Sequence, residues 1–299
     1  MSTGQAFRAS VLELVGQLAE DGPGDVRPDS ALSDIGFDSL AFAELAASLE
    51  DRYGIDLVDG VPACPRTVAD VVELIETARA SARPAGAASW EGIGRFQRGA
   101  ARTAGRVVRW WFDVRVQGAG HMPDRGPVVL CMNHESLLDI PVAVVASPRP
   151  ITFMAKRELF RHGAAARVLH GLGGFSVDRG AFDLRAITIA LDVVGRGQVL
   201  GMYPEGTRTP ATLLPFLSGA SWIALHAGAP LLPCAITGTD ASMPPGRKVP
   251  KRVPVTVAFG RAIPVDRVDD PVKRRAEAVR LTGELRSSIE VLLKEQANG

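Results

Sequence analysis

The spacing of apolar residues divides the chain into a helical first part and a mixed second part. In the first 80 residues the apolar positions recur at helical intervals, over about residues 5–20, 40–53 and 68–80. From His121 onward, short apolar runs alternate with helical patterns, as is typical of α/β domains. The runs that predict strands are Val128–Met132, Ile151–Ala155, Gly174–Asp178, Val199–Tyr203, Pro230–Thr237 and Val253–Phe259. The pattern therefore predicts a small all-α helical bundle followed by an α/β domain that closes with a helix.

The segment that joins the two parts follows neither pattern. Residues 81–89 are small and include Pro and Gly, so we predict a linker, which would reach roughly 30 Å when fully extended. Residues 90–116 interleave arginines with Trp and Phe at helical spacing. Such a helix suits the plane of an anionic membrane surface, with its rings at the level of the headgroups. It equally suits a helix that packs its aromatic side chains on the second domain and exposes its arginines.

The formal net charge of +1 conceals a strong difference between the two parts. Residues 1–82 contain 15 acidic and 5 basic residues, which gives a net charge of −10. The remainder contains 18 acidic and 29 basic residues, which gives +11. This asymmetry favours two domains that attract each other or a basic face built for phosphates or anionic lipid, although a charged run is most often only a solvated surface.

Cysteine usage and hydropathy exclude several classes of protein. Cys64, Cys131 and Cys234 are odd in number and far apart, which argues against a disulfide framework or a zinc site and for a reducing compartment. The N-terminus has no basic segment followed by an apolar core, and the chain has no charge-free apolar stretch of about 18 residues. We therefore predict a cytoplasmic protein with no secretory signal, no transmembrane helix, no metal site and no nucleic-acid partner.

A junction between a predicted strand and a predicted helix, Asn133-His134-Glu135-Ser136-Leu137-Leu138-Asp139, supplies candidate chemistry. Residues five apart on a helix point about 140° away from each other, so His134 and Asp139 can meet only if the histidine precedes the first turn. A carboxylate that accepts from one ring nitrogen leaves the other nitrogen free to take a proton, which is general-base chemistry. Ser136 and Asp139 also fit a helix capping box, in which case the histidine is only a satisfied polar group.

The first part of the chain resembles an acyl carrier protein. Asp38-Ser39-Leu40 follows Leu32-x-x-Ile35-Gly36-Phe37 at the predicted start of the second helix, within an acidic bundle. The resemblance implies a carrier domain over residues 1–80, with 4′-phosphopantetheine esterified to Ser39 and an acyl chain carried on its thiol. It also implies two partners, a phosphopantetheinyl transferase and an enzyme that loads the acyl group. Without the resemblance, Ser39 would be interpreted as an ordinary helix N-cap.

The second part resembles the glycerolipid acyltransferases, the family that includes the lysophosphatidic acid acyltransferases. Four segments match the family's motifs in order: Asn133-His134-x4-Asp139, Gly173-Gly174-Phe175-Ser176-Val177-Asp178-Arg179, Tyr203-Pro204-Glu205-Gly206-Thr207-Arg208 and Leu231-Leu232-Pro233-Cys234-Ala235-Ile236. The histidine-aspartate spacing alone is a weak signal, but the four motifs together are specific. The resemblance implies an α/β acyltransferase domain with a mixed sheet over residues 90–299.

The same resemblance implies roles for individual residues. His134, oriented by Asp139, would deprotonate an acceptor hydroxyl, which would then attack an acyl thioester. The implied substrate-binding residues are Arg179, Glu205, Gly206, Thr207 and Arg208. The two arginines would hold the phosphate of the acceptor through paired charged hydrogen bonds. Glu205 and Gly206 would shape the turn that aims Arg208.

These resemblances predict an O-acyltransferase that moves an acyl chain from a phosphopantetheine thioester to the hydroxyl of lysophosphatidate or glycerol phosphate. The donor would be the chain's own carrier domain, another acyl carrier protein or acyl-CoA. Many family members have a Phe-Lys-x-Gly pattern where this chain has Phe216-Leu217-Ser218-Gly219. Another alcohol or amine acceptor, in a specialised lipid or natural-product pathway, therefore stays open.

A function of another class is a non-catalytic acyl carrier and membrane scaffold. The intact His134, Asp139 and Arg208 argue against it, because a scaffold has no need of them. A thioester hydrolase would need water as the acceptor, and the chain has no Gly-x-Ser-x-Gly nucleophile motif. If residues 90–116 bind lipid, we expect the protein to lie peripherally on the inner face of the membrane.

Overall fold

Two compact units make up the chain in the computed structural model, one with the N-terminal helices and one with a β-sheet. The described residues are 3–19, 26–32, 34–35, 37, 41, 44–45, 48, 65–80, 99, 105–156, 174–177, 184–209, 212–244, 247 and 249–297. Among these residues, none of the helices combines the length and the apolar character that crossing a bilayer requires.

The helical unit contains α1 (Thr3–Leu18) and α2 (Val68–Ala80), close to the predicted limits. Residues 41, 44–45 and 48 are also helical and lie in the predicted middle helix. The apolar residues at helical spacing form one core: Phe7, Val11, Leu14, Val15, Leu18, Leu32, Phe37, Ala41, Leu45, Val68, Val71, Val72 and Ile75. This part of the chain is therefore consistent with the predicted helical carrier domain.

The sheet unit contains seven strands in the order β1-β7-β6-β2-β5-β3-β4. They are β1 (Arg115–Gln117), β2 (Val128–Met132), β3 (Ile151–Lys156), β4 (Gly174–Val177), β5 (Val199–Met202), β6 (Leu231–Thr237) and β7 (Thr256–Phe259). The central strand β2 is parallel to both β5 and β6, whereas β6 and β7 are antiparallel. The sheet is therefore mixed, as predicted.

Helices pack on the sheet and help to account for the uniformly apolar central strands. Contacts with its strands come from α3 (Asp139–Ala146), α5 (Gly219–Ala227) and α7 (Pro271–Ala297), and α6 (Thr239–Ser242) follows β6. Helix α4 (Leu184–Gly195) is divided between the two units. All five residues of β2 are buried, as expected for a strand with other elements on both of its faces. The predicted apolar stripe of the last helix packs against α5 and β6, with Leu281, Leu285 and Ile289 buried and Leu292 half-buried.

The predicted helix over residues 90–116 is wrong at its C-terminal end. The described helical segment covers residues 105–111, and Asp113 then takes a positive φ of 41°. Arg115 begins β1, whose pairing with β7 supplies backbone hydrogen bonds that a helix would forgo. The aromatic residues of this segment differ in exposure. Phe112 is buried in the core, as expected for packing on the second domain, whereas Trp110 is 62% exposed, as expected for contact with a membrane surface. The linker 81–89 and most of residues 90–104 lie outside the described residues.

Candidate active site

Three neighbouring strands deliver the candidate residues to one edge of the sheet. Since β2 lies between β5 and β6 and runs parallel to both, the carboxyl ends of all three strands lie side by side. His134 follows β2, Glu205 follows β5 and Thr239 follows β6. The crevice beyond the carboxyl ends of parallel strands is where α/β proteins usually bind ligands.

His134 and Asp139 are in direct contact, with Nδ1 of the histidine 2.7 Å from Oδ2 of the aspartate. Helix α3 begins at Asp139, so the histidine precedes the first turn, as the spacing requires. The carboxylate side chain is fully buried and His134 is 6% exposed. Because a carboxylate can only accept, Nδ1 carries the hydrogen and Nε2 keeps the lone pair. This is the arrangement of a general base.

Asp139 also stabilises the turn that precedes α3. Its Oδ2 accepts hydrogen bonds from the backbone N–H groups of Glu135, at 2.8 Å, and Ser136, at 2.9 Å. The predicted capping box is formed in part, because Asp139 accepts from the Ser136 N–H but the Ser136 hydroxyl accepts from the Leu138 N–H, at 3.4 Å, instead of from Asp139. The same carboxylate oxygen binds the histidine and stabilises the turn before α3. The loop that holds His134 is fixed by the same residue that orients its ring.

The His134 ring is also held from the neighbouring strand. It stacks on the ring of Tyr203, with 4.1 Å between the ring centroids and 23° between the planes. The backbone N–H of His134 donates to Glu205 Oε1 at 2.9 Å, and its carbonyl oxygen accepts from the backbone N–H of Thr209 at 2.8 Å. The third motif therefore supports the first motif directly.

Glu205 is buried, and its carboxylate bonds groups of the protein itself. Its second oxygen, Oε2, accepts from the Thr209 hydroxyl at 2.7 Å and from the backbone N–H of Leu214 at 3.0 Å. Gly206 follows with φ of 68°, a conformation that glycine adopts without strain, and donates to the Tyr203 carbonyl oxygen at 3.0 Å. The carboxylate thus links the loop of the third motif, residues 203–209 and here called the motif loop, to the backbone of His134.

Thr207 and Arg208 lie on the outer side of the same loop, and both are exposed. Among the residues that the structure describes, the Arg208 guanidinium has no hydrogen-bond or ion-pair partner. A free guanidinium carries a permanent charge and five N–H donors that match the geometry of a phosphate. The two remaining candidate residues, Ser39 and Arg179, lie outside the described residues.

Asn133, which follows β2 and bonds β6, and Thr239, which follows β6, support the site, and the motif comparison gave neither a role. The Asn133 side-chain amide exchanges two hydrogen bonds of 2.8 Å with the backbone of Ile236. The Thr239 hydroxyl donates to Asp139 Oδ1 at 2.5 Å. The sequence signal for Thr239 was its position directly after a predicted strand and a glycine.

A second acidic group lies beside the histidine. Burial, followed by the negative charges of Asp240, Asp139 and Glu205 and a hydrogen bond with Asp240, raises the pKa of Glu135 to about 8. Glu135 is therefore protonated at neutral pH, which limits the negative charge next to the candidate base.

The described cysteines have no part in this chemistry. Cys131 and Cys234 are fully buried in β2 and β6, and burial raises the pKa of both thiols, so neither supplies a thiolate. In the part of the chain that the structure describes, no group of three His, Cys, Asp or Glu side chains is arranged to hold a metal ion.

Two protein families match different parts of the chain. The family model of the acyltransferases matches residues 113–237, which include His134, Asp139, Glu205 and Arg208. The family model of the phosphopantetheine attachment site matches residues 9–75, which include Ser39.

Individual relatives agree with the first match. A 1-acyl-sn-glycerol-3-phosphate acyltransferase of Bacillus subtilis is 30% identical over 169 residues, which are 56% of this chain and 82% of that protein. The human 1-acyl-sn-glycerol-3-phosphate acyltransferase beta is 28% identical over 166 residues, 53% of this chain and 59% of that protein's length. The crystal structure of the 1-acyl-sn-glycerophosphate (LPA) acyltransferase PlsC from Thermotoga maritima aligns with a TM-score of 0.55 and 27% identity, covering 67% of this chain and 79% of that one.

Proposed function

Because the chain belongs to the acyltransferase family of the 1-acyl-sn-glycerol-3-phosphate acyltransferases, we propose that it transfers an acyl chain from a phosphopantetheine thioester to the hydroxyl of lysophosphatidate or glycerol phosphate. The observation that carries this proposal is the 2.7 Å contact between His134 Nδ1 and Asp139 Oδ2. It leaves Nε2 as the proton acceptor at the edge of the sheet where α/β proteins usually bind ligands.

The chemistry needs one base and no nucleophile from the protein. Nε2 of His134 takes the hydroxyl proton of the acceptor while the acceptor oxygen attacks the thioester carbonyl carbon. The carbon–sulfur bond then breaks, and the leaving sulfur takes the proton back from the histidine as a thiol. Asp139 stabilises the imidazolium that forms between these two transfers. A positioned base contributes about 10²- to 10⁴-fold, so the alignment of thioester and hydroxyl supplies much of the remainder.

The donor follows from the first part of the chain, which contains a phosphopantetheine attachment domain. We propose that 4′-phosphopantetheine is esterified to Ser39 by a phosphopantetheinyl transferase and is then acylated by a separate loading enzyme. Phe37 and Ala41, on either side of Ser39 in the sequence, are buried in the helical core. When bound, the group supplies the thiol that carries the acyl chain. Other acyl carrier proteins and acyl-CoA are alternative donors.

The acceptor is proposed from Arg208 and Arg179. The exposed Arg208 guanidinium precedes Thr209, whose backbone N–H bonds the His134 carbonyl oxygen, and it suits a phosphate. The resemblance of the second motif implies the same role for Arg179. One observation favours an alternative acceptor, an alcohol or amine without a phosphate. Leu217 lies next to Gly206 with its side chain 65% exposed, so an apolar group stands on the loop that carries Arg208.

We propose that the protein binds peripherally to the inner face of the membrane and that the reaction takes place there. Val107 and Trp110 are both 62% exposed on the helical segment 105–111, and Arg106 is exposed beside them. The Arg252 guanidinium lies 4.9 Å from the centroid of the Trp110 ring. Exposed aromatic and apolar side chains among arginines suit an anionic lipid surface.

The test begins with protein co-expressed with a broad-specificity phosphopantetheinyl transferase and loaded with an acyl group. Intact mass should increase by the mass of the arm in the wild type and in Ser33→Ala, but not in Ser39→Ala. The loaded protein is then offered lysophosphatidate, glycerol phosphate and a panel of neutral alcohols and amines, and acylated products are measured by mass spectrometry.

A matched pair of histidine variants decides whether the site is catalytic. His134→Ala should lower the rate of transfer by about 10²- to 10⁴-fold. His121→Ala should not, because the exposed His121 instead contacts the Phe259 carbonyl oxygen, 2.8 Å from its Nδ1. Product formation by folded His134→Ala at the wild-type rate would refute the base assignment. A wild type that carries acyl groups but transfers them to none of the acceptors would support the non-catalytic scaffold.

A further inference from the structure

The hydrogen bonds to the Asp139 carboxylate are distributed unevenly between its two oxygens. His134 Nδ1 and the backbone N–H groups of Glu135 and Ser136 all converge on Oδ2. Within the described part of the chain, Oδ1 accepts a hydrogen bond from the hydroxyl of Thr239, at 2.5 Å. Both Asp139 and Thr239 are fully buried, so bulk water does not reach this contact.

Because Thr239 donates to the second oxygen, it restricts the orientation of the Asp139 carboxylate. Donors on one oxygen hold that oxygen in place, but combined small rotations about the Cα–Cβ and Cβ–Cγ bonds can still tilt the plane of the carboxylate around it. A donor on the second oxygen fixes the plane of the group, and with it the direction in which Oδ2 meets the imidazole. A buried carboxylate oxygen without a donor is also costly, since an ionised group loses its hydration on burial.

The backbone places Thr239 rigidly at the end of β6. Gly238 takes φ of 90°, and a Cβ at this position would collide with the Pro254 carbonyl oxygen. Helix α6 starts at Thr239, and its last residue, Ser242, is bound to Lys251 through both its hydroxyl and its carbonyl oxygen. The hydroxyl is therefore presented by a short element that is fixed at both ends.

We propose that Thr239 is a positioning residue of the acyl-transfer reaction, which holds the Asp139 carboxylate in the plane that orients His134 and stabilises its imidazolium. The proposal rests on the proposed function of His134 as the general base. Thr239 does not touch the substrate in this scheme and acts through Asp139.

The test compares Thr239→Val, which keeps the shape and removes the hydroxyl, with Thr239→Ser, which keeps the hydroxyl. We expect kcat to fall about 10- to 100-fold in Thr239→Val, with KM for donor and acceptor unchanged, and to recover in Thr239→Ser. Thr282→Val is the matched control, because Thr282 is a buried threonine whose hydroxyl bonds Ser221 and the Ala278 carbonyl oxygen between α5 and α7. It should lower Tm and leave kcat intact.

A double-variant cycle separates positioning from general destabilisation. If Thr239 acts through Asp139, adding Thr239→Val to Asp139→Ala should lower kcat no further than Asp139→Ala alone. Thr239→Ala replaces Thr239→Val in both comparisons if the valine variant does not fold. A Thr239→Val enzyme with wild-type kcat, or a loss that adds fully to that of Asp139→Ala, would overturn the proposal. The His134→Ala result is independent of these outcomes, so a failure here leaves the general base intact.

Discussion

The rings of His134 and Tyr203 are stacked with their centroids 4.1 Å apart, although the two residues follow different strands of the sheet. Tyr203 is itself stacked on Phe153 of β3, with 6.3 Å between the centroids. The plane of the imidazole is therefore set by stacking, while its rotation within that plane is set by Asp139. Together the two contacts define where Nε2 points.

We expect Tyr203→Leu to lower kcat more than Tyr203→Phe, because leucine removes the ring on which His134 stacks and phenylalanine keeps it. A misaligned base costs about 10- to 100-fold in rate, so the difference between the two variants should lie in that range. Steady-state kinetics at saturating acceptor measure it, and near-ultraviolet circular dichroism verifies that both variants are folded. Equal kcat values for the two variants would show that the stacking has no part in aligning the base.

Glu205 should matter for stability as well as for activity. Its two oxygens accept hydrogen bonds from His134, Thr209 and Leu214, so either orientation of a glutamine amide would place an NH₂ group against a donor. We expect Glu205→Gln to cost about 1–3 kcal/mol of unfolding free energy. Each kcal/mol corresponds to about 2–4 °C in Tm for a domain of about this size.

The measurement is a thermal melt of the whole chain, with Glu295→Gln as the control. Glu295 is an exposed glutamate near the end of α7, and its substitution should leave Tm within about 1 °C of the wild type. A Glu205→Gln protein as stable as the control would mean that the motif loop holds its shape without the carboxylate.

The elevated pKa of Glu135 predicts how stability changes with pH. Burial and the neighbouring carboxylates raise this pKa from its ordinary value of 4.5 to about 8, so the folded protein holds the proton more tightly than the unfolded chain. The stabilising contribution is fully present below about pH 4.5 and is lost as the pH rises through about 8. A neutral Glu135→Gln side chain cannot ionise and can still donate to Asp240.

We therefore expect the wild type to lose more Tm than Glu135→Gln between about pH 6 and pH 9, by about 2–4 °C for each kcal/mol of lost stability. Melts of both proteins in the same series of buffers provide the comparison. If the Tm of the two proteins changed equally with pH across this range, Glu135 would already be ionised in the folded protein at neutral pH.

The residues of the site differed in how far the sequence could predict them. The meeting of His134 and Asp139 followed from their spacing at a strand-to-helix junction, because it depends on local geometry. The contacts from Tyr203 and Thr239 depend on β2 lying between β5 and β6, and the order of strands in a sheet is not written in a periodic pattern.

The missed strand has a related cause. Arg115–Gln117 is a three-residue edge strand with one half-buried and two exposed side chains, so it shows no apolar signal. It becomes a strand because β7 provides a pairing partner that lies about 140 residues later in the chain. Because β1 has no apolar pattern and its partner lies far along the chain, the sequence predicts a helix that continues beyond residue 111.

Delivery of the acyl group from Ser39 should depend on the length of the predicted linker 81–89. A carrier tied by a short flexible segment meets its own active site at an effective concentration that reaches the millimolar range. We therefore expect acyl groups on Ser39 to be consumed by the same chain in a first-order reaction whose rate does not change on dilution. The measurement follows the loss of acyl groups from loaded wild type by intact mass, over a hundredfold range of protein concentration.

The control removes the route within one molecule. Acyl-loaded His134→Ala chains mixed with unloaded Ser39→Ala chains contain one working carrier and one working base, but on different molecules. Transfer in this mixture should be second order, so the fraction of acyl groups consumed per unit time should fall about tenfold for each tenfold dilution of both proteins below the effective concentration of the tether. If the mixture instead matched the loaded wild type at high dilution, the tether would not be the route of delivery, and the acyltransferase would draw on free carriers or acyl-CoA.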